Sequence, residues 1–130
     1  MRRLQASRFY IAGGAISEPI FILDCAASEW LFASGFWKRI NSSLGTMFDQ
    51  FEEDEAEPPI LLQIASELEC CLRSLHSQSE DTVCFVCGWS TNGDAHTVEV
   101  QRKHLVSQLA MLRSLLASAA ANKNVVELSL

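Results

Sequence analysis

Two segments of this chain repeat leucine at helical spacing, and they constrain the fold more than any other feature. The first runs from Pro58 to about Ser77 and repeats these apolar residues on one face: Leu61, Ile64, Ala65, Leu68, Leu72 and Leu75. The second runs from Arg102 to Ala121 with this face: Leu105, Leu109, Leu112, Leu116 and Ala119. Pro58-Pro59 suits the first turn of a helix. Both segments are therefore predicted to be amphipathic helices that bury one side.

Short β-prone runs surround these helices. Five are predicted to be strands: Phe9–Ala12, Ile20–Leu23, Val83–Trp89, His96–Val100 and Val125–Leu130. The first two are separated by Gly13-Gly14 and Glu18-Pro19, which predicts a hairpin with a long loop. Asn92-Gly93-Asp94 is a turn signal between the third and fourth strands.

A third helix is predicted from Ala26 to Leu44. These residues share its apolar face: Trp30, Ala33, Trp37, Ile40 and Leu44. Ser28 is the predicted N-cap, and Gly45 stands where a helix terminator belongs. The predicted order is β-β-α-α-β-β-α-β, a single α+β (α/β) domain over residues 1–130. Its three helices pack on a small, mostly antiparallel or mixed sheet.

Charge is concentrated in one short segment of the chain. The protein has 16 acidic and 10 basic residues and a net charge of −6, and six of the nine residues from Asp49 to Glu57 are carboxylates. The scattered Lys and Arg residues do not form the cluster that a phosphate backbone requires, so nucleic-acid binding is not expected. No uninterrupted apolar run approaches the roughly 18 residues of a membrane span. The apolar run Phe9–Ile16 is broken by Gly13-Gly14, so no signal peptide is expected either.

The cysteines and histidines are weak candidates for chemistry. An odd count of five cysteines favours reduced thiols and a cytoplasmic location. Cys84 and Cys87 have zinc-ligand spacing, and Cys70-Cys71 offers two more thiols, but side chains three apart in a strand point to opposite faces. A Cys–His pair formed in space by one of the three histidines stays open as an alternative. No catalytic residue, metal site or cofactor is predicted.

The acidic segment is the predicted partner-binding site, as an exposed connector between two helices. Its predicted contact residues are Phe48, Asp49, Phe51, Glu52, Glu53, Asp54, Glu55 and Glu57. The aromatic pair is expected to provide apolar anchorage and the carboxylates to attract a basic surface. In the competing interpretation the segment is a solvated loop, both phenylalanines lie in the core, and the last acids serve the next helix dipole.

The segment Trp30–Glu57, the closing helix and the strand that begins Val125-Val126-Glu127-Leu128 together resemble immunity proteins of bacterial toxin–immunity pairs. The group in question is that of contact-dependent growth inhibition. The resemblance implies a non-enzymatic cytoplasmic protein that occludes a cognate, basic, nuclease-type toxin domain with its acidic surface. The alternative is a structural or regulatory domain that forms a homodimer through a sheet edge, at Val125–Leu130 or the first strand. A small-molecule-binding domain is a third interpretation.

Overall fold

The chain folds as a four-stranded sheet, a separate two-stranded hairpin and four helices in a computed structural model that describes residues 4–13 and 18–130. The elements are β1 (Ser7–Ile11), β2 (Phe21–Leu23), α1 (Cys25–Ala33), α2 (Phe36–Leu44), β3 (Glu53–Ala56), α3 (Pro58–His76), β4 (Thr82–Trp89), β5 (Ala95–Gln101), α4 (Arg102–Ala121) and β6 (Val126–Ser129). Residues 1–3 and 14–17 lie outside the described residues, and with them Gly14 of the predicted loop. The α+β class is confirmed, and the order differs from the prediction by an additional helix and an additional strand.

The larger sheet has the strand order β2-β1-β6-β3, and all its pairs are antiparallel. Side chains alternate across it, so Phe9 and Leu128 are buried under the helices, whereas Arg8 and Glu127 are exposed on the other side. β1 and β6 are the two central strands. The prediction that the first strand or Val125–Leu130 forms a sheet edge is therefore wrong; the edges are β2 and β3.

The two leucine-rich helices pack against each other and complete the core. Every residue predicted for their apolar faces is buried, and α4 has the predicted bounds. Arg102 joins the two helices, because its Nη1 donates to the carbonyls of Leu75 (3.1 Å) and Gln78 (2.6 Å) at the end of α3. The carbonyl of Leu75 also accepts the backbone N–H of Gln78 (3.2 Å), so the guanidinium reinforces a helix end that is already hydrogen-bonded. Among the described residues, no helix has the length and apolar content needed to cross a membrane.

The predicted helix from Ala26 to Leu44 is broken into α1 and α2. The break lies at Ser34-Gly35, where Gly35 has φ +80°, a left-handed conformation that glycine adopts without steric cost. Beyond the break, Phe36 and Trp37 begin α2, and both are buried in the core. Gly45 ends α2 as predicted, with φ +67°.

The predicted N-cap of this region is also wrong. Asp24, and not Ser28, caps α1, because its Oδ1 accepts the N–H of Ala27 at 2.9 Å. Ser28 is buried inside the helix, and its hydroxyl lies 2.6 Å from that of Ser7 on β1. This pair connects α1 to the sheet.

Replacing Gly35 by alanine tests the helix break. An L-residue in the left-handed region costs about 1–2 kcal/mol, so G35A is expected to lower the free energy of unfolding by about that amount in urea titrations. The control is S42A at an exposed position of α2, where a change within about 0.5 kcal/mol is expected. An unchanged or increased stability of G35A would mean that the helix is continuous in solution.

Candidate functional site

The acidic residues are exposed and lie between α2 and α3, as the sequence predicts, but part of the segment forms an edge strand that the sequence does not predict. Glu53–Ala56 forms β3, which pairs with β6 in the register Asp54↔Leu128 and Ala56↔Val126. Acidic residues are poor strand formers, so the local sequence does not indicate this strand. Pairing with the apolar β6 and burial of Ala56 under the helices override that preference.

The strand pairing brings a carboxylate that the sequence analysis missed next to the acidic segment. Glu55 lies directly opposite Glu127 of β6, and Glu53 lies two residue pairs further along, opposite Ser129. All three carboxylates are on the exposed side of the sheet. Like charges directly opposite on a sheet repel, and a cation between them is favourable. In the sequence, the only sign of this pairing is the alternation of Glu127 with buried Val126 and Leu128.

The unpaired edge of β3 has features that discourage pairing with another strand. The N–H of Leu130 donates to the carbonyl of Glu52 (3.1 Å), so the backbone groups of Glu52 face β6. Backbone N–H and C=O groups alternate in direction along a strand. The backbone groups of Glu53 and Glu55 therefore point to the open edge. Asp54 Oδ1 accepts the N–H of Glu55 at 2.8 Å. Charged side chains and an occupied N–H discourage pairing with another strand. The carboxylates, rather than the edge backbone, are therefore what this surface offers to a partner.

The two predicted aromatic contacts have opposite environments. Phe48 is 3% exposed, and its ring centroid lies 5.5 Å from that of Trp37 in the core. Its prediction as a partner contact is therefore wrong, because the ring is not accessible. Phe51 is 60% exposed and lies two residues before β3, so of the two phenylalanines it is the one that a partner can reach.

We call the following exposed residues the acidic face: Glu53, Glu55 and Glu127 on the outer side of the sheet, and Phe51 and Glu52, which come just before β3 in the chain. Asp49 is exposed at its near end, where its Oδ1 accepts the N–H of Gln50 at 2.7 Å. Glu57 is also exposed and occupies the N-cap position of α3, without a side-chain capping bond. Its charge lies at the positive end of the helix dipole, which gives it a structural role as well.

The zinc-ligand spacing of Cys84 and Cys87 does not produce a shared site. Cys84 is exposed and Cys87 is half-buried, with a register shift between Val86 and Gly88. Among residues 4–13 and 18–130, no group of three or more His, Cys, Asp or Glu side chains is arranged to hold a metal ion.

The thiols with shifted pKa values are poor nucleophiles. Burial raises the pKa of the Cys71 thiol, and desolvation followed by the carboxylate of Glu99 raises the pKa of Cys84. Both remain protonated at neutral pH, whereas the thiolate is the reactive form. Cys87 Sγ lies 3.4 Å from the carbonyl oxygen of His96. His104 pairs through Nε2 with the carboxylate of Asp24, the cap of α1, which gives this histidine a structural partner.

An open groove lies between α4 and the ends of β1 and β2. Its walls include Ile11, Ile20, Met111 and Leu115, and serine and asparagine side chains lie at its rim. No charged or titratable side chain is among its described lining residues, so the groove offers no acid or base for catalysis.

Comparisons of the chain with protein-family models, with curated proteins and with solved structures find no match. A functional proposal for this protein therefore depends on its own residues and on the charge and shape of its surface.

Truncating Phe48 and its neighbour tests their different environments. Phe48→Ala is expected to lower the free energy of unfolding by about 3–5 kcal/mol, because it leaves a cavity beside Trp37. Met47 is 81% exposed, so Met47→Ala is expected to change it by no more than about 0.5 kcal/mol. Urea denaturation followed by tryptophan fluorescence measures both. Equal effects of the two substitutions would place Phe48 outside the core.

A glycine–alanine comparison at Phe51 tests its backbone conformation. Phe51 has φ +65°, where glycine is unstrained and alanine is not, so F51G is expected to be about 1 kcal/mol more stable than F51A. Both variants lose the same ring, so the difference isolates the backbone contribution. Lys123 (φ +58°) after α4 is the matched control, with the same difference expected between K123G and K123A. If alanine at position 51 is the more stable variant, Phe51 does not have a positive φ in solution.

Proposed function

We propose that this protein is a non-enzymatic cytoplasmic inhibitor that binds a basic protein domain through its acidic face, as an immunity protein binds its cognate toxin. The observation that carries the proposal is the grouping of Glu53, Glu55 and Glu127 on the outer side of the sheet, with the exposed Phe51 two residues before β3. An aromatic anchor surrounded by charge is a common composition for a protein-binding hot spot.

The charge of the acidic face favours a basic protein as the partner. Carboxylates on adjacent strands create a local negative field, which steers an oppositely charged protein and raises its association rate. Nuclease domains have basic substrate grooves because they hold phosphates. A protein that presents carboxylates in such a groove competes with the nucleic acid, so a nuclease-type toxin domain is the partner class we propose.

Inhibition by binding fits these carboxylates better than catalysis. A carboxyl group that acts as a general acid needs a surrounding that is poor in water, as well as a second group placed for a different role. Glu52, Glu53 and Glu55 are all exposed. Exposed carboxylates remain available to Lys and Arg side chains of a partner.

Self-association is the second candidate, and the sheet edges now give it a specific location. β2 (Phe21–Leu23) contains no charged residue and exposes Ile22. Uncharged edge strands are templates for pairing with a second copy, whereas the acidic β3 edge repels its own copy. A homodimer that extends the four-stranded sheet would therefore form through β2 and not through β3.

Charge reversal on the acidic face tests the proposal. The triple variant E52K/E53K/E55K is expected to slow association with a basic partner domain by about tenfold to a thousandfold at low salt, because steering is lost. Partners are recovered with wild-type protein from its native cytoplasm, and surface plasmon resonance at two salt concentrations then measures binding. Wild type is also expected to inhibit the nuclease activity of the recovered domain at one-to-one stoichiometry, and the variant is not.

The matched control is E80K/D94K/E99K, which changes the net charge equally at exposed positions away from the acidic face. It is expected to bind and inhibit almost as wild type does. Equal loss in both triple variants would show an effect of net charge alone, without a specific site. A wild-type dimer that persists in E52K/E53K/E55K, with no basic partner recovered, would support self-association instead.

A further inference from the structure

We infer that Asn41 and Glu29 are positioning residues that hold the loop from Thr46 to Glu52 in the conformation presenting Phe51 to an apolar recess of the basic partner. The partner in this inference rests on the proposed function. The conformation of the loop is a property of the protein alone, so the two can be tested separately.

Asn41 fixes the first half of the loop from the last turns of α2. Its Oδ1 accepts the N–H of Phe48 (2.9 Å) and the hydroxyl of Thr46 (2.8 Å), and its Nδ2 donates to the carbonyl of Phe48 (2.8 Å). These bonds use three of the four that an amide side chain can make. They hold Phe48 at its backbone, while packing on Trp37 holds its ring.

Glu29 of α1 holds the second half of the loop through Gln50. This α1 carboxylate is 1% exposed, and its Oε1 accepts Gln50 Nε2 at 2.9 Å and the N–H of Gln5 at 3.4 Å. A buried carboxylate is costly unless hydrogen bonds compensate it, so its contacts are strongly favoured over solvent-exposed alternatives. Glu29 therefore joins three separate chain segments at one point.

Phe51 lies between fixed points on both sides. Gln50 is held by Glu29, the N–H of Phe51 donates to the carbonyl of Leu130 (2.9 Å), and Glu52 accepts from the N–H of Leu130. A bulky residue adopts a positive φ only where its surroundings over-determine it. An aromatic ring whose backbone is already ordered loses less entropy on binding than one on a flexible loop. The contacts of Asn41 and Glu29 thus serve an exposed ring as well as the core.

The complementary surface on the partner follows from the neighbours of the ring. Glu52 and Glu53 come directly after Phe51 and are exposed. A matching surface has an apolar recess that accepts the ring, with Lys or Arg side chains around the recess. Charged contacts around a buried aromatic ring exclude water from it. A uniformly basic patch on the partner would bind the carboxylates alone and would make no use of the Phe51 ring.

Amide hydrogen exchange of the free protein tests the positioning. Asn41→Ala is expected to speed exchange at Phe51 and Leu130 by about tenfold or more through local opening, with α3 and α4 unchanged. Asn41→Asp keeps the Oδ1 acceptor and is expected to restore most of the protection, and Gln50→Ala is expected to act as Asn41→Ala does. Ser43→Ala, exposed on the same helix, is the control with no change. Wild-type exchange rates at Phe51 and Leu130 in Asn41→Ala would overturn the inference.

A double-mutant cycle in binding separates positioning from general destabilisation. Binding is measured against the basic domain recovered with wild-type protein. In the wild-type background, Asn41→Ala is expected to weaken this binding about tenfold. In a Phe51→Ala background, the same substitution is expected to weaken it less than about twofold. An equal loss in both backgrounds would overturn the assignment of Asn41 to the presentation of Phe51. If no basic domain binds, the proposed function fails, and the exchange rates alone decide whether the loop is held as inferred.

Discussion

The antiparallel pairing of β6 with both β1 and β3 is the interaction on which the rest of the structure depends. Val126 and Leu128 bury the inner side of this strand under the helices, so its outer side must face solvent. That orientation places Glu127 opposite Glu55. The chain continues to Leu130, whose backbone holds Phe51 and Glu52. One buried strand thus determines both the charge of the acidic face and the position of its aromatic residue.

The carboxylates of the acidic segment serve two physical purposes at once. At the edge of a sheet they prevent pairing with other chains, and Asp54 reinforces this by occupying the N–H of Glu55. On the exposed side of the same strand they provide a concentrated negative field. A charged edge strand is thus compatible with both protection and recognition. The exposed, conformationally fixed Phe51 is what favours recognition, because edge protection alone needs no aromatic residue there.

Elements with strong internal periodicity were predictable, and elements that depend on a turn or a distant partner were not. The α3 and α4 faces repeat a buried position at helical spacing, and the β4–β5 hairpin consists of two β-prone runs on either side of a turn signal, so both follow from local patterns. The break at Gly35 was missed because a single glycine is tolerated within a helical pattern. Of the predicted contact residues, Phe48 lies in the core, and its near neighbour Phe51 is exposed although both are phenylalanines in one loop.

The sequence alone determined the α+β class, the leucine-lined core helices and the concentration of negative charge between Asp49 and Glu57, because composition and spacing are local properties. Only the tertiary structure decided that these acids form an edge strand, that Glu127 joins them and that Phe51 rather than Phe48 is exposed. Each of these outcomes depends on pairing or packing between residues far apart in the chain. Local propensity does not encode such contacts, and here burial of β6 outweighed the low strand propensity of the acidic segment.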